Sequence, residues 1–263
     1  MTWFIAIQRR GAPQITSAQR DCERLRHRDA STKNLPVPTY QVRRLAAGDR
    51  VKLDGRLDEP FWHTTPQTQP FVHPGTGESL PESAPLGGTA RLRWDDEHLY
   101  VAIVAKDIDV RGGFAKDARD PHLWTKDTVE IMLDPEGDGD NRDYYEIQVN
   151  PQGLVFDSHF DDYNRPRVLP DEPFGHEDWS ALLERTITIQ GTIDDPNDVD
   201  EGYVVELAMP FRALANIERP RKGTVWRANF YVMQNNGGVS WSPILGQGNF
   251  HKASRFGRLE FVR

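Results

Sequence analysis

The fold class is decided by one stretch of the chain, Thr89-Ala-Arg-Leu-Arg-Trp-Asp-Asp-Glu-His-Leu-Tyr-Val-Ala-Ile-Val-Ala105. It begins with alternating polar and apolar side chains, so that Ala90, Leu92 and Trp94 share one face. Three acidic residues then favour a turn, and the apolar run that follows is typical of a second strand. The stretch therefore predicts a β-hairpin that buries one of its faces.

The same period-two alternation returns in residues 128–133 and 144–149. In both segments apolar side chains point to one face, whereas Glu130 and Gln148 point to the other. Further strands are predicted at residues 154–157, 185–190, 203–209, 224–234, 239–242 and 258–262, and single helical turns at 57–62 and 211–215. Many short strands with polar turns predict an all-β fold over residues 39–263, a two-sheet antiparallel β-sandwich of the jelly-roll type with minimal helix.

Residues 1–38 differ in composition from the rest of the chain. Residues 1–34 hold seven Lys or Arg and three Asp or Glu, although the whole protein has 32 basic and 40 acidic residues. The run Leu35-Pro-Val-Pro38 favours an extended linker. We interpret the segment as a mobile N-terminal arm or as one draped over the domain. Its apolar start precedes two arginines, the reverse of the order in a signal peptide, so the chain as given predicts no export signal.

Composition excludes several classes of protein. The 263 residues include one cysteine, Cys22, so neither a disulfide within the chain nor a thiolate metal cluster is expected. A net charge of −8 argues against a nucleic-acid partner, which requires a basic field. The apolar runs are far shorter than the roughly 20 residues of a membrane helix, so no membrane span is expected.

Motifs that would indicate catalysis are missing from the sequence: there is no Gly-x-Ser-x-Gly elbow, no His-Glu-x-x-His and no phosphate-binding loop. The acidic loop at residues 134–143 offers oxygens at the first positions of an EF-hand, but the twelfth position is Tyr145. A hairpin turn of Asp and Gly is the favoured interpretation. The histidines in loop contexts are interpreted as exposed: His63, His73, His122 and His176.

Two aromatic residues stand in polar, loop-like surroundings. Trp124 lies shortly before the strand of Glu130, and Phe250 lies in a Gly- and Asn-containing loop. Flat aromatic rings stack on the C–H faces of sugars, while carboxylate and amide groups bind sugar hydroxyls. With Glu130 and Gln148 turned away from the core, these residues predict a sugar-binding surface that is exposed to water.

Seven motifs follow one another in an order that resembles carbohydrate-binding module family 9, over about residues 45–263. They are Val51-Lys-Leu-Asp-Gly-Arg-Leu-Asp-Glu-Pro-Phe-Trp62, Ala90-Arg-Leu-Arg-Trp-Asp-Asp-Glu-His-Leu-Tyr-Val101, Trp124-Thr-Lys-Asp-Thr-Val-Glu-Ile131, Tyr145-Glu-Ile-Gln-Val-Asn150, Gly202-Tyr-Val-Val-Glu-Leu-Ala-Met-Pro210, Ser240-Trp-Ser242 and Arg255-Phe-Gly-Arg-Leu259. The resemblance implies non-catalytic binding of a mono-, oligo- or polysaccharide, such as a xylan or glucan, and an extracytoplasmic location.

In that family the sugar lies between two Trp rings and is hydrogen-bonded by polar side chains of the sheet. The resemblance implies that Trp124 takes the place of the first Trp and Glu130 that of the acidic ligand. Gln148 stands where the family has Arg, Phe250 where it has the second Trp, and Gln247 where it has a loop Asn. The resemblance also implies structural calcium, for which the chain offers Asp107, Asp109 and Asp127.

Three other interpretations remain open at this point. The chain could be a glycoside hydrolase or its accessory domain, which requires a carboxyl group of raised pKa in a closed cleft. It could be a haem-binding redox relative of the same sandwich, with an axial ligand among Met132, Met209 and Met233. It could also be a surface or scaffold protein without a small ligand.

Overall fold

The computed structural model describes residues 35–165, 175–214, 217–246 and 248–263. Of these residues 40% lie in strands and 6% in helices, which confirms the all-β prediction. Residues 36–263 form one compact unit. The predicted arm of residues 1–38 falls almost entirely outside the described residues, as does Gln247. The described part of the chain contains no helix that is long and apolar enough to cross a membrane.

The described residues contain eleven strands. They are Thr39–Arg44 (β1), Leu86–Trp94 (β2), His98–Asp107 (β3), Thr128–Asp134 (β4), Arg142–Val149 (β5), Val155–Asp162 (β6), Glu184–Gln190 (β7), Gly202–Pro210 (β8), Val225–Gln234 (β9), Gly237–Ser240 (β10) and Gly257–Val262 (β11). One helical turn, Pro60–His63 (α1), and 3-10 turns at Leu123–Thr125, Phe211–Ala213 and Ala253–Arg255 complete the elements. Each strand predicted from the sequence is present, and β1 is an addition.

The strands form one continuous sheet in the order β6-β5-β4-β9-β11-β1-β2-β3-β8-β7, with β10 paired to β9. Neighbours are antiparallel except at β1, which runs parallel to both β11 and β2. The sequence predicts two separate sheets, but β1 is hydrogen-bonded to β11 on one side and to β2 on the other. It therefore joins the half made of β6, β5, β4, β9 and β11 to the half made of β2, β3, β8 and β7. The sequence pattern does not predict β1 because the strand is short and follows two prolines. In the structure its alternate side chains Tyr40 and Val42 point into the core.

One face of both halves lines a shared hydrophobic core. The predicted inward side chains of the hairpin and of β4 and β5 all belong to it: Ala90, Leu92, Trp94, Val129, Ile131, Leu133, Tyr145, Ile147 and Val149. Because residues from β2, β3 and β8 meet residues from β4, β5 and β9 in this one cluster, the sheet curls over it. Burial of apolar surface on this face is the main stabilising contribution.

The opposite face is buried in two places. Over β3 and β8 it is covered by the segment that includes α1, where Phe61 and Trp62 pack on Tyr100 and Val204. Over β4, β5, β6 and β9 it carries a mixture of aromatic, Met and polar side chains. The second region contains four of the residues that the sequence predicts to bind sugar: Trp124, Glu130, Gln148 and Phe250.

Candidate functional site

The candidate site lies on the face of β4, β5, β6 and β9 that points away from the shared core. Strand register places Glu130 on β4 directly opposite Gln148 on β5 and Tyr231 on β9. Glu146, two residues before Gln148, lies opposite Met132 and Ser158. Since side chains two residues apart along a strand share a face, these polar groups converge on one patch of the sheet.

Three of these side chains form a hydrogen-bonded group around one amide. The Gln148 Nε2 atom donates to Glu130 Oε2 at 3.1 Å and to Glu146 Oε1 at 2.5 Å. All three residues are buried, with relative exposures of 0% for Gln148, 2% for Glu130 and 4% for Glu146. Both amide hydrogens of Gln148 are therefore used, and its carbonyl oxygen stays available as an acceptor.

Three buried oxygens on this patch, Glu130 Oε1, Gln148 Oε1 and Ser158 Oγ, have no hydrogen-bond partner among the described residues. A buried polar atom without a partner costs about 1–3 kcal/mol, and most such atoms in folded proteins are paired. Hydroxyl groups of a ligand would supply the missing donors. The patch is thus chemically suited to bind a polyhydroxylated molecule.

Burial also changes the ionisation of the two carboxyl groups. Burial, reinforced by the neighbouring charge of Glu146, raises the pKa of Glu130 well above its usual range. Burial raises the pKa of Glu146 to about 7. Two carboxylates close together in a region of low dielectric cannot both ionise without cost. At neutral pH the pair of glutamates therefore retains a proton, and a protonated carboxyl group can donate a hydrogen bond as well as accept one.

A loop that precedes β11 is held down over this face by two tyrosines. Tyr144 Oη lies 2.8 Å from Nδ1 of His251, and Tyr231 Oη donates to the Phe250 carbonyl oxygen at 3.0 Å. His251 Nε2 lies 3.7 Å from Glu146 Oε2. Burial lowers the pKa of His251 to about 3, so the imidazole is neutral and does not compensate the carboxyl pair.

The two predicted aromatic residues lie at the border of the same patch. Trp124, in the 3-10 turn before β4, stacks on His122 with ring centroids 4.3 Å apart and meets Phe156 edge-on. Phe250 packs on the Tyr231 ring at 4.7 Å. Both Trp124 and Phe250 are half-buried against the cluster around Met132. The structure therefore brings the two rings to one face from distant parts of the chain.

The structure corrects one expectation about this surface. Glu130 and Gln148 do leave the core as predicted, but they are not exposed to water. Alternation fixes which face a side chain takes, whereas its exposure depends on what covers that face. Here the cover comes from the segments around Trp124 and His251, which the local pattern does not place.

Several residues of the patch were not identified from the sequence. Glu146 alternates with Gln148, so its position on the same face could be predicted, but nothing local marked it as a partner of Glu130. Asn229 donates to Tyr231 Oη at 2.7 Å and to the Ser242 carbonyl oxygen at 2.8 Å, which fixes the floor of the patch. The contact between His251 and Tyr144 joins residues 107 positions apart and has no signal in the local sequence.

The three aspartates predicted as metal ligands divide into a buried pair and a half-buried residue, Asp109. Asp107 and Asp127 are buried, and Gln234 Nε2 lies 3.3 Å from Asp107 Oδ1. Burial, together with the charge of Asp127, raises the pKa of Asp107 to about 7, and burial raises the pKa of Asp127 to about 6. Asp109 is paired instead with the Arg111 guanidinium at 2.7 Å.

The other candidates from the sequence are accounted for by the packing. Asp134 accepts hydrogen bonds from the backbone N–H groups of Gly137 and Gly139, so its carboxylate closes the turn between β4 and β5, as the turn interpretation predicts. The methionines considered as haem ligands, Met132, Met209 and Met233, are buried among apolar side chains.

Comparison with known proteins assigns the chain to a family. Residues 53–263 match the family model described as carbohydrate family 9 binding domain-like. The chain belongs to this family. The match confirms the resemblance found in the sequence and, with it, the expected class of function, carbohydrate binding.

A curated relative shows how such a domain occurs in a larger protein. The chain is 26% identical over 219 residues to endo-1,4-beta-xylanase A of Thermotoga neapolitana, an alignment that covers 80% of this chain and 17% of the xylanase. The chain thus spans about one sixth of the length of that relative.

Solved structures share the fold at low sequence identity. A protein from Bacteroides uniformis matches with a TM-score of 0.63 and 18% identity, covering 85% of this chain and 99% of the other. A family 9 carbohydrate-binding module from Caldicellulosiruptor kristjanssonii, solved in complex with cellotriose, matches with a TM-score of 0.55 and 19% identity over 85% of this chain and 93% of the module. These matches show that the fold is that of family 9 modules.

Proposed function

We propose that this domain binds carbohydrate without cleaving it and acts in polysaccharide recognition or breakdown. The observation that carries the proposal is the set of unpartnered buried oxygens on a face bordered by two aromatic rings. The ligand would stack on Trp124 and Phe250 and fill the hydrogen-bonding capacity of Glu130 and Gln148. The family match supports this class of ligand. Because polysaccharides are met mainly outside cells, we also propose an extracytoplasmic location.

Each polar group would have a defined part in binding. Gln148 Oε1 would accept a hydrogen bond from a sugar hydroxyl, since its amide hydrogens are already donated to the two carboxyl groups. Glu130 Oε1 would take a second hydroxyl. The family's Arg would have brought a positive charge to the position of Gln148, so this chain would bind with an uncharged amide instead. We expect dissociation constants between about 1 mM and 1 µM, or roughly −4 to −8 kcal/mol.

Two buried carboxyl groups are also what a glycoside hydrolase needs, so hydrolysis is the second candidate. One carboxyl group, Glu146, has a pKa near 7, and burial raises the pKa of the other, Glu130, well above its usual range, which suits a general acid. However, the Gln148 amide nitrogen stands between the two groups and is bonded to both. It occupies the space in which the scissile bond and a water would have to lie. We therefore favour binding over hydrolysis.

Calorimetric titration with xylotriose and cellotriose tests the proposal, alongside an assay for reducing ends released from xylan and glucan. Binding without release is the expected result. The variant Trp124→Ala removes the stacking ring, and Trp179→Ala removes another half-buried indole that packs against the shared core and serves as a control. Loss of binding in both variants, with both folded, would contradict the placement of the site at Trp124, and release of sugar would favour hydrolysis.

We also propose a structural calcium ion between the end of β3 and the start of β4. Asp107 and Asp127 fit such an ion because they offer hard oxygen ligands and lie within hydrogen-bonding reach of each other, and because burial raises the pKa of both. Asp109 would become a calcium ligand only if its ion pair with Arg111 were broken. A bound cation would stabilise the ionised form of both buried carboxyl groups. The melting temperature should rise with calcium and fall with a chelator in the parent, and respond to neither in Asp107→Asn/Asp127→Asn.

A further inference from the structure

A cluster of two histidines and an aspartate lies on the edge strand β6, outside the candidate sugar site. His159 and Asp161 are two residues apart on this strand and therefore share a face. That face is opposite to the one on which Phe160 joins the cluster around Met132. The cluster is thus separated from the proposed sugar site by the sheet itself.

A third residue, His176, is brought beside these two by backbone hydrogen bonds. The His176 N–H donates to the His159 carbonyl oxygen at 2.7 Å, and the His159 N–H donates to the His176 carbonyl oxygen at 3.3 Å. This reciprocal pairing is that of an antiparallel bridge, in which the side chains of directly opposed residues project to the same side. The two imidazole rings are accordingly nearly parallel, with centroids 5.8 Å apart.

The potential ligand atoms converge on one point. Asp161 Oδ2 lies 2.7 Å from His176 Nε2, and Asp161 Oδ1 lies 3.6 Å from His159 Nδ1. One ligand atom from each of the three residues can be chosen so that all lie within 4.8 Å of one another. Ligand atoms around a tetrahedral zinc ion, with bonds of about 2.0–2.1 Å, are about 3.3 Å apart. Small rotations of the exposed Asp161 and His176 side chains would bring the three ligand atoms from their present separations to this spacing.

The surroundings orient the cluster and leave it accessible. The His159 ring stacks on Tyr145 at 4.7 Å, and Tyr145 in turn packs on Trp179. Such an apolar support fixes the direction of a ligand ring. The nearby cation Arg165 forms its ion pair with Asp162, at 3.4 Å. Asp161 and His176 are exposed, so an ion can enter from solvent.

From this geometry we propose that His159, Asp161 and His176 form a binding site for a divalent transition metal ion, of which Zn²⁺ is the best representative. Two imidazole nitrogens and one carboxylate are a ligand set that Zn²⁺ accepts, with water in the fourth position. Ca²⁺ prefers oxygen ligands and would not select this set. The ion would join β6 to the chain at His176 and so stabilise the edge of the sheet.

Calorimetric titration of the full chain with ZnCl₂, in chelator-free buffer that contains excess Ca²⁺, tests the proposal. The excess Ca²⁺ occupies sites made of carboxylates alone. We expect one Zn²⁺ per chain in the parent, binding at least tenfold weaker in Asp161→Asn, and no binding in His159→Ala/His176→Ala. The control His63→Ala/His73→Ala, which removes two histidines outside the cluster, should bind like the parent. Sugar binding should be the same in all four proteins.

A second measurement keeps the test decisive if the double variant is unstable. Co²⁺ bound by the parent should give the intense visible absorption of a tetrahedral site, and the single variant His176→Asn, at an exposed position, should lose it. Zinc should also raise the melting temperature of the parent and of His63→Ala/His73→Ala, but not that of His159→Ala/His176→Ala. Failure of the parent to bind Zn²⁺, or equal binding by the parent and the double variant, would overturn the proposal.

Discussion

Two buried glutamates on the same sheet, Glu206 and Glu130, have opposite relations to their surroundings. Glu206 on β8 is fully buried, and both of its oxygens are satisfied by the chain. Its Oε2 accepts from the backbone N–H groups of Asp54 and Gly55 at 3.2 and 2.9 Å, and its Oε1 accepts from Trp62 Nε1 at 3.0 Å. Glu130 receives one hydrogen bond, from an amide that it shares with Glu146, and its Oε1 receives none from the described residues.

The difference separates a carboxylate whose oxygens are both hydrogen-bonded within the fold from one that keeps an oxygen without a donor among the described residues. The segment that leads into α1, together with Trp62 of α1 itself, supplies the donors for Glu206, and the close approach of this segment to the sheet requires glycine. Gly55 has a φ of +73°, and a Cβ there would lie 2.2 Å from Thr188 Oγ1. This segment is one of the motifs on which the family resemblance rests. Its role is therefore to cover and satisfy β8, whereas the segments that cover Glu130 leave its second oxygen unpaired.

The largest expected effect comes from removing the satisfied carboxylate. Glu206→Ala would leave three donors without an acceptor and open a cavity, at a cost of about 3–5 kcal/mol in the free energy of unfolding. Denaturant titration measures this loss. Sugar binding by the fraction that stays folded should be unchanged. A cost below about 1 kcal/mol would show that Glu206 is not the structural group described.

Removing the ring at the border of the unsatisfied patch should affect binding more than folding. Trp124→Ala should lower the affinity for xylotriose or cellotriose by about tenfold to a hundredfold, or roughly 1.4–2.7 kcal/mol. Because Trp124 is half-buried against His122 and Phe156, it should also cost about 1–2 kcal/mol of stability. Titration calorimetry and denaturant unfolding separate the two effects. If the variant unfolds altogether, the ring is part of the core and not a stacking platform.

The sequence predicted most of the sheet because alternation is a local property. It identified each strand from β2 onward within a few residues, together with the face that Glu130 and Gln148 occupy. It did not predict β1, whose role is to pair in parallel with strands that are distant in sequence. Nor did it predict the burial of the polar patch. That burial depends on loops whose positions are set by tertiary contacts, such as His251 with Tyr144.

A matched pair of isosteric changes sharpens the comparison between the two glutamates. Glu130→Gln keeps the shape of the side chain and removes one member of a repelling pair, so stability should stay the same or rise by up to about 1 kcal/mol. In Glu206→Gln the amide NH2 group faces N–H donors that need an acceptor, so the free energy of unfolding should fall by about 1–3 kcal/mol. Parallel denaturant titrations measure both. Sugar affinity should fall about tenfold in Glu130→Gln alone, and equal destabilisation of both variants would remove the distinction.

The smallest expected effect is a dependence of stability on pH that belongs to Glu146. Burial raises its pKa to about 7 in the folded protein, whereas an unfolded Glu has a pKa near 4.5. Between these values the folded state binds more protons than the unfolded state, so this group makes the free energy of unfolding fall as the pH rises. From pH 5.5 to 6.5 its contribution should fall by about 1 kcal/mol.

Glu146→Gln removes that contribution while leaving other buried carboxyl groups, such as Asp107 and Asp127, in place. Denaturant midpoints of the parent and of Glu146→Gln, measured with chelator at pH 5.5 and 6.5, should therefore show a steeper decline in the parent. The two proteins should be closest in stability at the lower pH, where Glu146 is protonated and resembles the amide. Parallel slopes would mean that Glu146 ionises without cost when folded. The comparison with Glu206 would then rest on hydrogen bonds alone, without a contribution from charge.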